Sequence, residues 1–277
     1  MRALAIIILC HNSREYLGAC LRSVGAAMAG IDAAVWVVDN AGDDGTPQFV
    51  QTEFPWCQVI ESAHNGGYSY GNNLGLRAAG FPGAQQFRHA MLLNPDTELP
   101  ADGLRLMLAY LDANPDVGVV GPKLVLADGS LDKACRRGAP TPATALYHLL
   151  GLSRMLPYSA SFARYNMTFI PVEETDWCRR AQRAGWQLWY TPVAVITHIG
   201  AHATSRQPER SAVLFARSQA RFFRKHYGAG WYLLLKLITV AGLSYWLARS
   251  LYARIRQRID GATLARRTAS YWHILVS

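Results

Sequence analysis

Cysteine is sparse and dispersed in this 277-residue chain. Its five residues, Cys10, Cys20, Cys57, Cys135 and Cys178, form no C-x-x-C pair, which excludes a disulfide framework and a cysteine-ligated zinc site and leaves reduced, structural thiols as the expectation. Internal repeats and low-complexity tracts are absent, so neither a solenoid nor a disordered chain is indicated. The N-terminal stretch MRALAIIILCHNS has an apolar run too short for the core of a signal peptide, and it meets His11 and Asn12 at once. It reads as a first strand, and the expected setting of the domain is cytosolic. No glycine-rich basic loop follows that strand, since CHNSREYLG stands there, which argues against a nucleotidyltransferase. Acids are also scarce, 19 against 28 Lys and Arg, and the formal charge of +9 calls for an acidic partner. The basic residues gather late, from Arg221 to Arg267, around a long apolar stretch, a distribution that suits a membrane surface better than a duplex groove.

Half of the residues are apolar, enough for a large core. Residues 3–9 form a continuous apolar run, followed by Leu17, Cys20, Leu21 and Val24 at helical spacing with Asn12 or Ser13 as the cap. The pattern recurs. AAVWVVDNAGDDGT is a second buried strand with a Gly/Asp turn, CQVIESAHNGG a third, SYGNNLGLRAAG a helix, and HAMLLNPDTE a fourth strand. Alternation of this kind predicts an α/β fold with a doubly wound, mostly parallel sheet. A helix and strand follow over 101–125, then a helix opening with acids at EETD, a stop at Gly185, and a last strand ending at His198.

The early strands end in residues able to hydrogen-bond a ligand: His11/Asn12, Asp39/Asn40, His64/Asn65 and Asn94/Asp96. In a doubly wound sheet these ends share one edge, where such folds place ligands. Asn94-Pro95-Asp96 is also ordinary turn chemistry, and His198 also reads as a strand-end histidine bonded to backbone. The alternative is a divalent-cation site at the strand ends.

VVDNAGDDGT, HNGGYSYGNNLGLRAA, LLNPDTEL, EETDWCRRAQRAGW and THIG, in that order, resemble the family-2 inverting glycosyltransferases of the A-type fold, particularly their rhamnosyltransferase-like members; the likeness runs from about residue 4 to about residue 228. The resemblance implies transfer of a sugar, with rhamnose favoured, from a nucleoside diphosphate sugar such as dTDP-rhamnose to a lipid-linked or polysaccharide acceptor, with inversion. It places Asn12, Asp39, Asn40, Asn65, Gly71, Asn72, Asn73 and Asn94 around the donor and Asp96 with His198 on Mg2+ or Mn2+. Asn94 stands where the family has the first acid of its D-x-D motif. Glu174 takes the acceptor proton by the same likeness, and Asp176 positions it or shares the task, whereas Glu173 is also explained as a first-turn acid at the helix dipole. The carboxylate–imidazole pair suits Mn2+ and tolerates Mg2+, and cleavage of a sugar diphosphate leaves charge that a cation neutralises. Arg136 and Arg137 are candidates to meet a phosphate.

One departure stands out. Relatives carry a further strand, turn and short helix between the YNMT region and the acid motif, and here Thr168 runs through FIPV into Glu173. The expectation is a shortened acceptor segment, with residues 145–170 refolded over the gap, or a catalytically impaired binder of nucleotide sugars. The domain expectation is a catalytic domain over 1–228 and an apolar, basic helical tail over 229–277. WYLLLKLITVAGLSYWLA in that tail reads as a helix lying in or barely crossing the cytosolic leaflet of the inner membrane, or as a terminal helix packed on the domain.

Overall fold

The computed structural model describes residues 1–84, 86–132, 172–199 and 208–276. Four parallel strands, β1 (Arg2–Cys10), β2 (Ala33–Asp39), β3 (Gln58–Glu61) and β4 (Phe87–Leu93), form one sheet in the order β3-β2-β1-β4. Chain order reverses at β1, whose two neighbours are β2 and β4. The crevice beyond the carboxyl ends of β1 and β4 is therefore the topological switch point.

The continuous apolar sequences of β1 and β2 follow from burial on both faces. Ile6, Ile8, Val35 and Val37 pack with Leu17, Cys20, Leu21 and Val24 of helix α1 (Arg14–Ala27), while Ile7, Trp36 and Val38 form a second cluster on the opposite face. Burial pushes the Cys20 thiol up to about 12 and raises Cys57 likewise, so these cysteines are inert packing groups, as expected. Helix α2 (Thr46–Glu53) follows β2, α3 (Tyr68–Ala78) follows β3, and α4 (Gly103–Ala113) comes after β4.

A second sheet, not anticipated from the sequence pattern, has three strands in the order β5-β7-β6, with β5 (Thr97–Glu98), β6 (Val117–Leu126) and β7 (Gln187–His198). β6 and β7 run parallel, and the two-residue β5 pairs antiparallel with the end of β7. The mostly parallel α/β architecture is as expected, and its strands divide between two sheets, because hydrophobic periodicity reports strands and not which sheet they join.

The chain divides into two compact units, residues 1–135 with 181–200, and residues 136–180 with 201–277. The first unit holds both sheets. In the second, α5 (Val172–Arg183) contributes its first turns, and α6 (Pro208–Tyr227), α7 (Ala229–Ile255) and α8 (Gly261–Leu275) pack on one another around Phe222, Phe223 and Leu235. Asp260 caps α8, accepting from the Thr263 amide at 2.8 Å. The 27 residues of α7 make it long and apolar enough to cross a membrane. At about 1.5 Å per residue it reaches about 40 Å, well beyond the 18-residue apolar stretch alone. Arg136, Arg137 and the 145–170 segment lie outside the described residues.

Candidate active site

The loops at the carboxyl ends of β1 and β2 are tied to each other before any ligand is considered. Asp39 accepts from the Gly42 amide at 3.2 Å through both oxygens, and Asn12 Oδ1 accepts from the Asp43 amide at 2.8 Å. Gly42 is required there, because a Cβ would lie 2.8 Å from Asp39 Oδ1 and 2.9 Å from Asn12 Oδ1. Asn12 and Ala41 adopt φ of 53° and 58°, conformations that non-glycine residues hold only where surrounding contacts impose them. Burial raises the pKa of Asp39, against the pull of the Gly42 amide.

Capping of α1 departs from the expectation. Ser13 occupies the N-cap position without a side-chain bond, and Asn12 is engaged elsewhere. Asp44, from the loop after β2, accepts from the Arg14 amide at 2.8 Å and from Thr46 Oγ1 at 2.7 Å. One carboxylate thus braces the starts of α1 and α2, and despite the opposing effect of burial these bonds lower its pKa.

The Asn40 side chain is similarly occupied. Its Nδ2 donates to Asn65 Oδ1 at 3.0 Å and to the Gly67 carbonyl at 3.3 Å, and its Oδ1 accepts from the Gly66 amide at 3.2 Å. Buried Asn40 therefore shapes the β3–α3 loop, whereas Asn65 remains exposed at its rim. Asn72 is buried, donates to the Tyr68 carbonyl at 3.0 Å and has an unpartnered Oδ1; Asn73 is exposed. Gly71 is explained by packing, since a Cβ would stand 2.2 Å from Leu9 Cδ1. Gly75 one turn later would meet Ile7 Cγ2 at 2.4 Å. This is the tight helix–sheet contact that the glycines of GNNLG also allow on sequence grounds.

Asp96 and His198 are brought together by the β5–β7 pairing. Thr97 opposes His198, and the Asp96 carbonyl accepts from the Ile199 amide at 2.9 Å. Thr97 Oγ1 closes the turn on the Asn94 carbonyl at 2.6 Å, leaving Asn94 itself exposed. The outcome is a separation of 3.4 Å between Asp96 Oδ1 and His198 Nε2. On the other side of the ring, His198 Nδ1 lies 2.6 Å from Asp132 Oδ2.

Asp132 was not singled out in the sequence. It arrives because the chain turns back after β6 at Asp128-Gly129-Ser130, Leu131 bridges to Val125, and the Asp132 amide donates to the Leu124 carbonyl at 3.0 Å. The three side chains are 14–18% exposed. Asp96 and then Asp132 raise the His198 pKa to about 9 against the effect of burial, with Asp96 the stronger influence and Asp132 the closer contact.

Among the described residues no group of three or more His, Cys, Asp or Glu has the arrangement of a complete metal cage. Asp96 and His198 nevertheless fit the demands of a cation that keeps substrate and water ligands. Cis ligands about 2.1 Å from an octahedral ion are roughly 3 Å apart, close to the observed 3.4 Å. Ligation requires loss of the Nε2 proton.

The acid motif sits on α5 in the second unit. The Glu174 side chain lies outside the described residues. Asp176 is gripped by Lys225 Nζ at 2.8 Å, His226 Nε2 at 2.5 Å and Arg180 Nε at 2.9 Å. Burial raises its pKa, but hydrogen bonds from Lys225, His226 and Arg180 outweigh this and hold it down at about 2. A carboxylate so bound is a weak base, and its contacts join α5 to α6. Arg179 adds a cation–π contact with Tyr227, 4.4 Å from the ring centroid.

Comparison with known proteins gives these features a family. The Glycosyl transferase family 2 model matches residues 5–142. The chain is 24% identical over 297 aligned positions to N-acetylglucosaminyl-diphospho-decaprenol L-rhamnosyltransferase of Mycobacterium tuberculosis, covering 92% of this chain and 96% of that one. It is 28% identical over 160 positions to the low-salt glycan biosynthesis hexosyltransferase Agl10 of Haloferax volcanii, covering 56% of this chain and 46% of the relative. Among solved structures it is similar to the mannosyltransferase PcManGT from Pyrobaculum calidifontis in complex with GDP-Man and Mn2+, with a TM-score of 0.50, 16% identity and coverage of 99% of this chain and 86% of that one. The mostly parallel α/β sheet, together with these likenesses, identifies the chain as a glycosyltransferase of family 2, with the A-type fold.

Proposed function

We propose that this enzyme transfers a sugar, with rhamnose favoured, from a nucleoside diphosphate donor such as dTDP-rhamnose to a lipid-linked or polysaccharide acceptor, with inversion at the anomeric carbon. The observation that carries this reading is the 3.4 Å approach of Asp96 to His198 at the strand-end edge, which the β5–β7 pairing produces. Asp96 Oδ1 and His198 Nε2 would hold Mg2+ or Mn2+. Such an ion neutralises the charge that builds on the departing diphosphate.

The remaining roles belong to the chain's own groups. Exposed Asn65, with Asn12, Asp39 and Asn73, lines the donor's nucleoside side, and Asn40, Gly71 and Asn72 give that wall its shape. Glu174 accepts the acceptor hydroxyl's proton as its oxygen attacks the anomeric carbon and the carbon–oxygen bond to the diphosphate breaks, the electron pair leaving with the nucleoside diphosphate. Asp176, held by Lys225, Arg180 and His226, anchors the helix that carries Glu174. Support for the acceptor class comes from the Mycobacterium tuberculosis relative, whose name specifies a diphospho-decaprenol acceptor, and support for the cation from the Mn2+ in the archaeal mannosyltransferase.

The apolar, largely exposed α7, with Trp231, Leu237, Trp246 and Ile255 at its surface, and the arginines after it support attachment to the cytoplasmic face of the inner membrane. Retention in membrane pellets through a high-salt wash, lost on truncation at residue 228, is the expected behaviour.

The decisive experiment incubates the purified chain with membranes and a panel of labelled nucleotide sugars, with and without EDTA. Label passing to lipid or glycan from one donor, abolished by chelation and restored by Mn2+, is expected, and Glu174→Gln should reduce it by about 10²- to 10⁴-fold. Metal-dependent donor binding without transfer would instead identify an idle nucleotide-sugar binder with a shortened acceptor segment. Chelator-insensitive transfer would overturn the cation's role.

A further inference from the structure

We infer that Asp132 is a positioning residue for the strand-end histidine. It holds the Nδ1–H of His198 and so directs Nε2 toward the cation position beside Asp96. The inference rests on the proposed cation site but concerns a residue outside the motif that suggested it.

An imidazole offers a metal only one nitrogen, and which one is decided by the bond that the other makes. Here Nδ1 is engaged at 2.6 Å, while the Nε2 contact to Asp96, at 3.4 Å, is longer than a direct hydrogen bond. The tight contact therefore lies on the side remote from Asp96, the arrangement of a carboxylate that orients a ligating histidine.

Backbone structure fixes both partners. His198 ends β7 between Thr97 of β5 and Leu126 of β6. Asp132 is set by the reversal after β6, in which Leu126 and Ser130 close the turn at 2.8 Å and Gly129 takes φ of 79°.

The test uses the full chain with Asp132→Asn and Asp132→Ala, measuring Mn2+ binding by the EPR signal of free ion and the His198 tautomer by 15N NMR at a pH where the imidazole is neutral. Loss of an orienting carboxylate is expected to weaken Mn2+ binding by about 10- to 100-fold in Asp132→Ala. Asp132→Asn, which keeps an acceptor for Nδ1–H, should recover part of that loss. Wild-type His198 should carry its proton on Nδ1, and Asp132→Ala should lose that preference. Wild-type affinity for Mn2+ in a folded Asp132→Ala chain, or an Nε2–H tautomer in the wild type, overturns the inference. If the wild type binds no Mn2+, the cation reading of the site fails by itself, and the tautomer still decides whether Asp132 orients the ring.

Discussion

Two carboxylate–histidine clusters occur among the described residues, and they are built in opposite ways. Around His198, two acids share one imidazole; around Asp176, one acid is shared by Lys225, Arg180 and His226. The first puts two acids on one imidazole, one at 2.6 Å and the other at 3.4 Å, a geometry with room for a cation on the longer side. The second is saturated by positive groups and has no charge left to give. Both contain the Asp and His that would attract notice in a sequence, so residue type alone does not separate a ligand site from a structural clasp. The balance of charge and the lengths of the contacts do.

Substitutions in the two clusters should therefore fail in different ways. The largest effect is expected from Asp96→Asn. If Asp96 holds the proposed cation, its loss should remove several kcal/mol of transition-state stabilisation, a fall of 100-fold or more in transfer, with Mn2+ affinity lowered and the melting temperature almost unchanged. Steady-state transfer assays and thermal melts on the same preparation check both halves. A stable, active Asp96→Asn enzyme would erase the distinction between the clusters.

Asp176→Asn should show the reverse pattern, with Mn2+ affinity intact and stability lost. The folded-state pKa of Asp176, about 2, lies below the unfolded value of about 3.9, so the carboxylate stabilises the fold above pH 4 and loses that contribution as pH falls toward 2. Its contribution at neutral pH is on the order of 2 kcal/mol. Denaturant unfolding of wild type and variant should differ by this order at pH 7 and converge near pH 2.

Next in size is Gly75→Ala, whose Cβ would overlap the stiff, β-branched Ile7. A destabilisation of about 1–3 kcal/mol is expected from overpacking. Gly71→Ala presses on Leu9, whose side chain can rotate, and should cost less. Urea midpoints of the two variants rank them, and equal values would show that α3 shifts as a body.

The smallest effect concerns Lys236, the one charge within the apolar stretch of α7. Its Nζ donates to the Leu275 carbonyl at 3.2 Å, at the C-terminal end of α8, where a cation complements the helix dipole. Lys236→Met should cost about 0.3–1 kcal/mol, seen as a slightly earlier melt.

The sequence made the first strands, α1 and the strand-end residues legible because burial on both sheet faces imposes unbroken apolar runs and a turn must end each run. Asp96 and His198 could be paired from the family's motif order. Two aspects were hidden. Membership of two sheets depends on which edges meet, and no local period records that. Asp132 lies 66 residues from its partner, and its only local sign is the ADGS turn after a strand, which marks a reversal without naming what the returning chain will touch. Ser13 is the N-cap of α1, one of the two caps expected, but the side chain that bonds the first amide of the helix is hidden for the same reason, since Asp44 reaches it from the next loop. Asp176 was legible as an acid in a first helical turn, but its saturation by Lys225 and His226 of α6 depends on tertiary contact.

The β5–β7 stitch has an evolutionary consequence. It closes about a hundred residues into a loop between Thr97 and His198, and closure entropy grows only with the logarithm of length, about 0.6 kcal/mol per doubling. Adding or deleting a few tens of residues inside that loop changes the entropy of closure by only a few tenths of a kcal/mol. Segments inside that loop can therefore lengthen or shorten while the strand-end edge that carries Asp96 and His198 is inherited unchanged.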